Sequence, residues 1–197
     1  DKVPADPDCD GGDKCPSKVF KDVDTSKDSW YHIPVDWAVL NKITTGTTKT
    51  TFEPNANCTR GQMVTFLWRY AGSPEPKTTK MPFSDVAEDA FYAKAVLWAV
   101  ENNITLGTGG GKFSPDATVD RGQTVTFLWR MADKPEVKTA TSFKDVPDGM
   151  FYTDAVKWAA ANNITTGTTK TTFEPNAECI RSQIVTFLYR FDQLGSK

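Results

Sequence analysis

ITTGTTKTTFEPNA at residues 43–56 recurs letter for letter at residues 164–177, and ITLGTGGGKFSPDA at residues 104–117 repeats the same frame in diverged form. Self-similarity at a period of about sixty residues marks a repeat architecture, and it decides the fold before any single helix is assigned. Outward from this stretch, each copy opens on Phe-x-Asp-Val, at Phe20-Lys21-Asp22-Val23, Phe83-Ser84-Asp85-Val86 and Phe143-Lys144-Asp145-Val146. Each closes on VTFLWR or VTFLYR, ending at Arg69, Arg130 and Arg190. The units therefore run over residues 20–72, 83–132 and 143–192, joined by the Pro-bearing linkers SPEPKTTKMP and DKPEVKTATS. Residues 1–19 form a polar leader rich in Cys and Asp, outside the repeat, and 20–192 read as one module.

Within a unit, two helical stretches flank a turn-rich loop. In the second copy Phe91, Tyr92, Ala95, Val96, Trp98 and Ala99 fall at helical spacing, and Asn102-Asn103 supplies residues that tolerate the left-handed conformation at a helix end. The loop carries Gly46, Gly107 or Gly167 and then Pro54, Pro115 or Pro175, which suits an irregular connection rather than a strand. In the second helix Met63, Phe66, Leu67 and Tyr70 fall at i, i+3, i+4 and i+7, with Val64 and Trp68 as a further apolar row. So wide an apolar arc needs cover on more than one side, which one unit cannot provide. The expected fold is all-α: three helix-loop-helix units around a pseudo-threefold axis, with the second helices in a central bundle and the first helices outside.

Composition excludes several classes of function. The chain has 197 residues, a net charge of −2 and 39% hydrophobic residues, including six Trp and twelve Phe, enough for a real core. Lys and Arg are interspersed with Asp and Glu, so the basic stripe of a nucleic-acid binder is missing. No apolar run approaches the roughly 18–20 residues of a membrane span. The chain opens on Asp1 with no charged n-region and apolar h-region, so it reads as a soluble piece, either mature or trimmed, in which a signal peptide or fused partner would not be visible. Cys9 and Cys15, close together in the leader, suit a short-loop disulfide and an oxidising, extracellular setting. Cys58 and Cys179 occupy matching positions where the middle copy has Val119, so they read as core residues, with a disulfide between them the weaker alternative.

The informative position is the start of the second helix: Thr59-Arg60-Gly61-Gln62, Asp120-Arg121-Gly122-Gln123 and Ile180-Arg181-Ser182-Gln183. Thr or Asp followed three residues later by Gln is a capping box, which Ile180 weakens in the third copy. Arg at the first helical position instead meets the positive end of the macrodipole, at a cost of a few tenths of a kcal/mol or more. Two compensations come from the residues alone. One is a bound anion at free helix-start amides with the guanidinium fork added; the other is an ion pair from each Arg to Asp22, Asp85 or Asp145. Aromatic pairs precede each first helix, at Trp30-Tyr31, Phe91-Tyr92 and Phe151-Tyr152, and of these Trp30 is the one singled out as a platform for a sugar ring. The Thr-rich loops offer hydroxyls to a sugar or to solvent.

These residues together resemble three tandem S-layer homology (SLH) repeats. The likeness rests on the opening Phe-x-Asp-Val, the aromatic before the first helix, the Gly-bearing loop ending in Phe52-Glu53-Pro54, and the helix start Cys58-Thr59-Arg60-Gly61-Gln62, with counterparts in each copy. The resemblance implies a helical spindle at the outer face of the bacterial cell wall, a single copy fused to a surface protein. It would bind a secondary cell-wall polysaccharide in inter-repeat grooves without any cofactor. The sugar it implies is acidic, such as an N-acetylmannosamine carrying a pyruvyl ketal. By that likeness Arg60, Arg121 and Arg181 would contact the acid, Gly46, Gly107 and Gly167 would admit it, and Trp30 would line a groove. Gln62, Gln123 and Gln183 stand where the family has Glu, and Phe91 and Phe151 where it has Trp; with Asp22, Asp85 and Asp145, the three Gln would support the site.

Two rival classes are weaker. His32 is the lone histidine, and no Ser or Cys nucleophile or paired carboxylates accompany it, so catalysis is not expected. Asp6, Asp8, Asp10 and Gly11 follow the opening of a calcium loop, but Ser17 stands where the bidentate Glu belongs. A calcium-dependent protein-interaction module is therefore the alternative reading, a solvated acidic leader the preferred one, and no metal ligands are assigned.

Overall fold

The computed structural model describes residues 2–195; Asp1, on which the sequence opens, and residues 196–197 lie outside the described residues. After a 3-10 turn at Pro16–Val19 come α1 (His32–Leu40), α2 (Arg60–Tyr70), α3 (Ala93–Glu101), α4 (Arg121–Met131), α5 (Thr153–Ala161) and α6 (Arg181–Asp192). The described residues contain no named strand, only isolated bridges, three between units and one, Gly109 to Lys112, within the second unit's loop. The fold is all-α, as the repeat pattern predicts.

Each first helix ends by the same device. The side-chain amides of Asn41, Asn102 and Asn162 donate to the carbonyls of Trp37, Trp98 and Trp158 at 2.9, 2.8 and 2.9 Å. The next residue turns the chain left-handed, with φ of 57° at Lys42, 56° at Asn103 and 57° at Asn163. Phe91, expected to continue the helical pattern, instead lies before α3 and is exposed.

The second helices meet at their N-terminal ends around a ring of three backbone hydrogen bonds. Cys58 N–H donates to the Cys179 carbonyl at 2.8 Å, Cys179 N–H to Val119 at 2.9 Å, and Val119 N–H to Cys58 at 2.9 Å. All three side chains are fully buried, and Cys58 and Cys179 are free thiols. This ring is the pseudo-threefold axis. Farther along, however, the main partner of each second helix is the first helix of the next unit: α2 packs on α3, α4 on α5, and α6 closes back on α1. The second helices also touch one another, α6 on both α2 and α4, so their wide apolar arcs are divided between the expected central bundle and the following unit. Met63, Val64, Phe66 and Leu67 are all buried by this arrangement, each worth roughly 1.5–3 kcal/mol. At the closure, Trp37 Nε1 and Tyr70 Oη both donate to Asp192, at 3.2 and 3.1 Å, and Trp37 meets Tyr189 edge-on at 5.5 Å.

The leader's aspartates Asp6, Asp8, Asp10 and Asp13 are exposed, as expected of a solvated acidic segment, but a few of its residues dock it on the first unit. Ala5, Cys15 and Ser17 are buried, and Ser17 N–H donates to Asp36 on α1 at 2.8 Å. Asn41 exchanges two hydrogen bonds with the backbone of Val3, and Cys9 and Cys15 form a disulfide with Cα atoms 6.0 Å apart.

Close packing of α2 on the next unit depends on Gly61, since a β-carbon there would stand 2.7 Å from the Tyr92 ring. Gly61→Val should therefore destabilise the fold by about 1–3 kcal/mol through overpacking. Urea unfolding followed by tryptophan fluorescence would measure it, and an unchanged midpoint would show that α2 and α3 can separate freely.

Candidate functional site

Asp22, Asp85 and Asp145 organise the loops. Each carboxylate accepts two backbone N–H groups across the bend before the proline: Phe52 and Glu53 on Asp22, Phe113 and Ser114 on Asp85, Phe173 and Glu174 on Asp145, at 2.6–3.1 Å. The bend puts Glu53, Ser114 and Glu174 at φ near +57°. Slight burial works to raise the Asp85 pKa, but the Phe113 and Ser114 donors outweigh it and hold the carboxyl below the ordinary range.

The carbonyls so presented receive the neighbouring unit's second helix. Arg60 and Gly61 N–H donate to Ala117 and Pro115; Arg121 and Gly122 to Ala177 and Pro175; Arg181 and Ser182 to Ala56 and Pro54, at 2.8–3.0 Å. The third helix-start amide is met within the unit, Gln62 N–H by Thr59 and Gln123 N–H by Asp120. Ile180 cannot accept, yet Gln183 still takes the Ile180 N–H, preserving half of that box. The helix-start amides postulated as an anion site are thus engaged by the next unit's backbone.

The three arginines are placed just as systematically. Nε of Arg60, Arg121 and Arg181 donates to the carbonyl of Phe113, Phe173 and Phe52 at 2.9, 2.7 and 2.7 Å. Each guanidinium lies between two rings, one from that loop at 4.7–4.9 Å and one from the next second helix at 5.4–5.5 Å. Carbonyl and ring faces, rather than an ion pair to Asp22, Asp85 or Asp145, answer the unfavourable dipole. Burial lowers the pKa of all three, yet a guanidinium remains charged at neutral pH.

Three grooves open where these clamps meet the surface, with volumes of about 320, 440 and 320 Å³. In each, one unit provides the loop and second helix, the following unit an aromatic, and the preceding unit its clamped arginine. The first is built from Gly46, Gln62 and Arg69 with Phe91 and Arg181. Gly107, Gln123 and Arg130 with Phe151 and Arg60 line the second, and Gly167, Gln183 and Arg190 with Trp30 and Arg121 line the third. All the candidate Arg, Gly and Gln residues and Trp30 therefore reach the grooves, while Asp22, Asp85 and Asp145 act behind them.

Several lining residues escaped sequence reasoning. Phe91 and Phe151 are 65% and 56% exposed, against 54% for Trp30, so each groove has its own aromatic wall. The second member of each pair packs inward, with Tyr152 only 4% exposed. Arg69, Arg130 and Arg190 add a second cation to each groove, anchored to the carbonyls of Ile43, Ile104 and Ile164 at 3.2–3.4 Å. The repeated Arg closing VTFLWR or VTFLYR was the available signal. Among the described residues the ion pairs are His32–Asp36, Lys94–Glu75 and Lys157–Asp148, so none of these six arginines has a carboxylate partner.

The glycines serve the loop itself. Gly46, Gly107 and Gly167 have φ of 81–83°, and a β-carbon would strike loop carbonyls and the ring of Phe20, Phe83 or Phe143. In the second groove Gln123 accepts from Arg60 at 2.8 Å, whereas Gln62 and Gln183 accept from their own helix starts. Asp6, Asp8 and Asp10 line one exposed pocket of the leader with Asp13, though among the described residues their carboxylate oxygens do not gather within 4.8 Å of one another.

Fold and grooves define a class: a cyclic module of three helical units with a basic, aromatic-walled cleft at every junction. The chain belongs to the S-layer homology domain family, whose pattern matches residues 19–64, 82–125 and 142–185, about two thirds of its length. It is 36% identical over 114 residues to a cell surface protein of Thermoanaerobacter kivui, covering 55% of this chain and 15% of that protein. Similarity to an S-layer protein of Bacillus thuringiensis subsp. finitimus is 26% over 184 residues, 91% of this chain and 22% of that protein. A cellulosome-anchoring protein of Acetivibrio thermocellus is 25% identical over 154 residues, 73% of this chain and 34% of its own length. The chain thus spans between 15% and 34% of the length of these relatives.

At the axis, burial pushes the Cys58 and Cys179 thiols up to about 12 and about 11, well above the ordinary 9.0. Both remain neutral in the folded state at pH 8, so iodoacetamide should label neither until the chain unfolds, as read by mass spectrometry. Since the unfolded thiols ionise first, the two cysteines also predict a loss of stability as pH rises from about 9 through their folded values.

Proposed function

We propose that this module anchors its protein at the outside of the bacterial cell wall by gripping an acidic secondary wall polysaccharide in the three inter-unit grooves. The observation that carries this reading is the pairing, in every groove, of two arginines without a carboxylate partner beside an exposed aromatic ring. Such a cleft suits a sugar bearing a carboxylate, as in a pyruvyl ketal: the guanidinium fork takes the acid and the ring takes an apolar sugar face. Hydroxyls of Thr44, Thr105 and Thr165, which accept from Gly46, Gly107 and Gly167, retain a proton to donate to the glycan. Groove volumes fall at the lower end of the ~300–1,000 Å³ typical of small-molecule sites, which matches one end of a chain more than a long stretch of it.

Family membership supports an anchoring role, and so do relatives named for the cell surface, the S-layer and the anchoring of cellulosomes. With so small a share of each relative covered, the module acts as the attachment piece and the remainder as cargo. It is a binding device rather than a catalyst.

Arg60, Arg121 and Arg181 also clamp the fold, so their truncation would confound affinity with stability. Arg69, Arg130 and Arg190 are the cleaner probes. The triple Arg→Gln variant at these three positions should keep its melting temperature within a few degrees and lose about 10–100-fold in retention by purified wall polymer, on the worth of a charge-assisted hydrogen bond. Polymer stripped of its acidic substituents should be bound as weakly by the unaltered chain. Equal retention of intact and stripped polymer, or by the variant and its parent, would refute the acidic-sugar assignment.

A further inference from the structure

The leader and α1 enclose a cluster that the grooves do not use. Cys9, Cys15, His32 and Asp36 bring two sulfurs, an imidazole nitrogen and a carboxylate oxygen within 4.8 Å of one another. Three features set this cluster apart from an incidental contact. His32 and Asp36 are 1% and 0% exposed, yet Nε2 of the one and Oδ2 of the other have no hydrogen-bond partner. The two atoms lie 3.1 Å apart without the alignment of a hydrogen bond. Lastly, Asp36 is fixed from behind, its Oδ1 accepting the Ser17 N–H at 2.8 Å, so that Oδ2 is turned to the cluster. Buried polar atoms are almost always satisfied, and two unsatisfied ones converging on two sulfurs describe a ligand shell.

We propose that, in its dithiol form, this chain binds one zinc ion through Cys9, Cys15, His32 and Asp36. Two thiolates, one imidazole and one carboxylate are a tetrahedral zinc donor set, with bond lengths of about 2.0–2.3 Å that place neighbouring ligand atoms about 3.3–3.8 Å apart. The 3.1 Å separation of Nε2 and Oδ2 is already close to that edge. His32 and Asp36 stand at i and i+4 on α1, so one helical face presents both while the leader brings the two cysteines over it. The arrangement is private to the first unit. At the equivalent positions the second has Ala93 and Leu97 and the third Thr153 and Lys157.

Disulfide and zinc are alternative states of the same two sulfurs. A newly made chain carries both cysteines as thiols, and zinc binding then releases two protons to form two Zn–S bonds. Oxidised protein needs a reductant: a water-soluble phosphine and one water convert the disulfide into two thiols and a phosphine oxide. The proposal is independent of the wall-polymer reading, because no cluster residue lines a groove.

The test uses the full chain with Cys58→Val and Cys179→Val, which copy Val119 and leave Cys9 and Cys15 as the only thiols. After phosphine reduction, zinc addition and gel filtration, about one zinc per chain should remain, against none in the oxidised protein. Cobalt(II) in place of zinc should give the visible bands of a tetrahedral ion and a thiolate-to-cobalt charge-transfer band. Cys9→Ser should weaken zinc binding about tenfold or more, as should Asp36→Asn, which keeps an oxygen for the Ser17 N–H. No retained metal in the reduced chain, equal retention when oxidised, or unchanged affinity in both variants would overturn the assignment. If either variant fails to fold, the cobalt spectrum of the reduced parent decides: without the charge-transfer band the proposal fails.

Discussion

Every part of this molecule depends on one interaction, the seating of each second-helix start in the Phe-x-Pro-x-Ala loop of the next unit. The helix brings two free amides, a positive dipole end and a guanidinium; the loop brings three carbonyls and a phenyl ring. Neither half is tolerable alone. A buried arginine without partners is costly, and so is a loop whose carbonyls face inward unpaired. Because the three contacts run in a closed circle, each unit satisfies one neighbour and is satisfied by the other. A one-dimensional solenoid leaves its terminal repeats needing caps; here α6 returns to α1, and no unit is terminal in that sense.

The same contact makes the grooves composite. An arginine clamped by the next unit emerges beside that unit's loop, and the unit beyond adds an aromatic wall, so each cleft draws side chains from all three units. A ligand held there binds only the closed ring and stabilises it by mass action. Anchoring strength and the integrity of the circle are thereby linked, which suits a device that must resist being pulled apart.

Much of this was legible in the sequence because it is local or periodic. Letter-for-letter repetition gives the units, apolar spacing gives the helices, and the odd placement of Arg60, Arg121 and Arg181 marks the position that matters. The answer to that oddity was out of reach, since the partners of Arg60 lie 53–63 residues away in another unit. Arg69, Arg130 and Arg190 were overlooked for the opposite reason: a cation in the last turn agrees with the helix dipole and raises no question. The leader was legible only in part. Its aspartates and glycines read as solvated, while the few residues that dock it, among them Cys15 and Ser17, are hidden among them.

Sequence identity within the chain also has a limit that only the assembly explains. The loops at 43–56 and 164–177 are the same letter for letter, yet their grooves differ, because the wall of each comes from elsewhere: Phe91 for the first, Trp30 for the third. The second groove keeps a diverged loop, an exposed Leu106 where the others have Thr45 and Thr166, and a glutamine turned toward Arg60. Duplication copies a unit, but a cleft built at a junction inherits from three units at once. Three repeats therefore yield three related clefts of unequal chemistry, and a change in one unit alters all three in different ways: in its loop for one, in its aromatic for another, in its clamped arginine for the last.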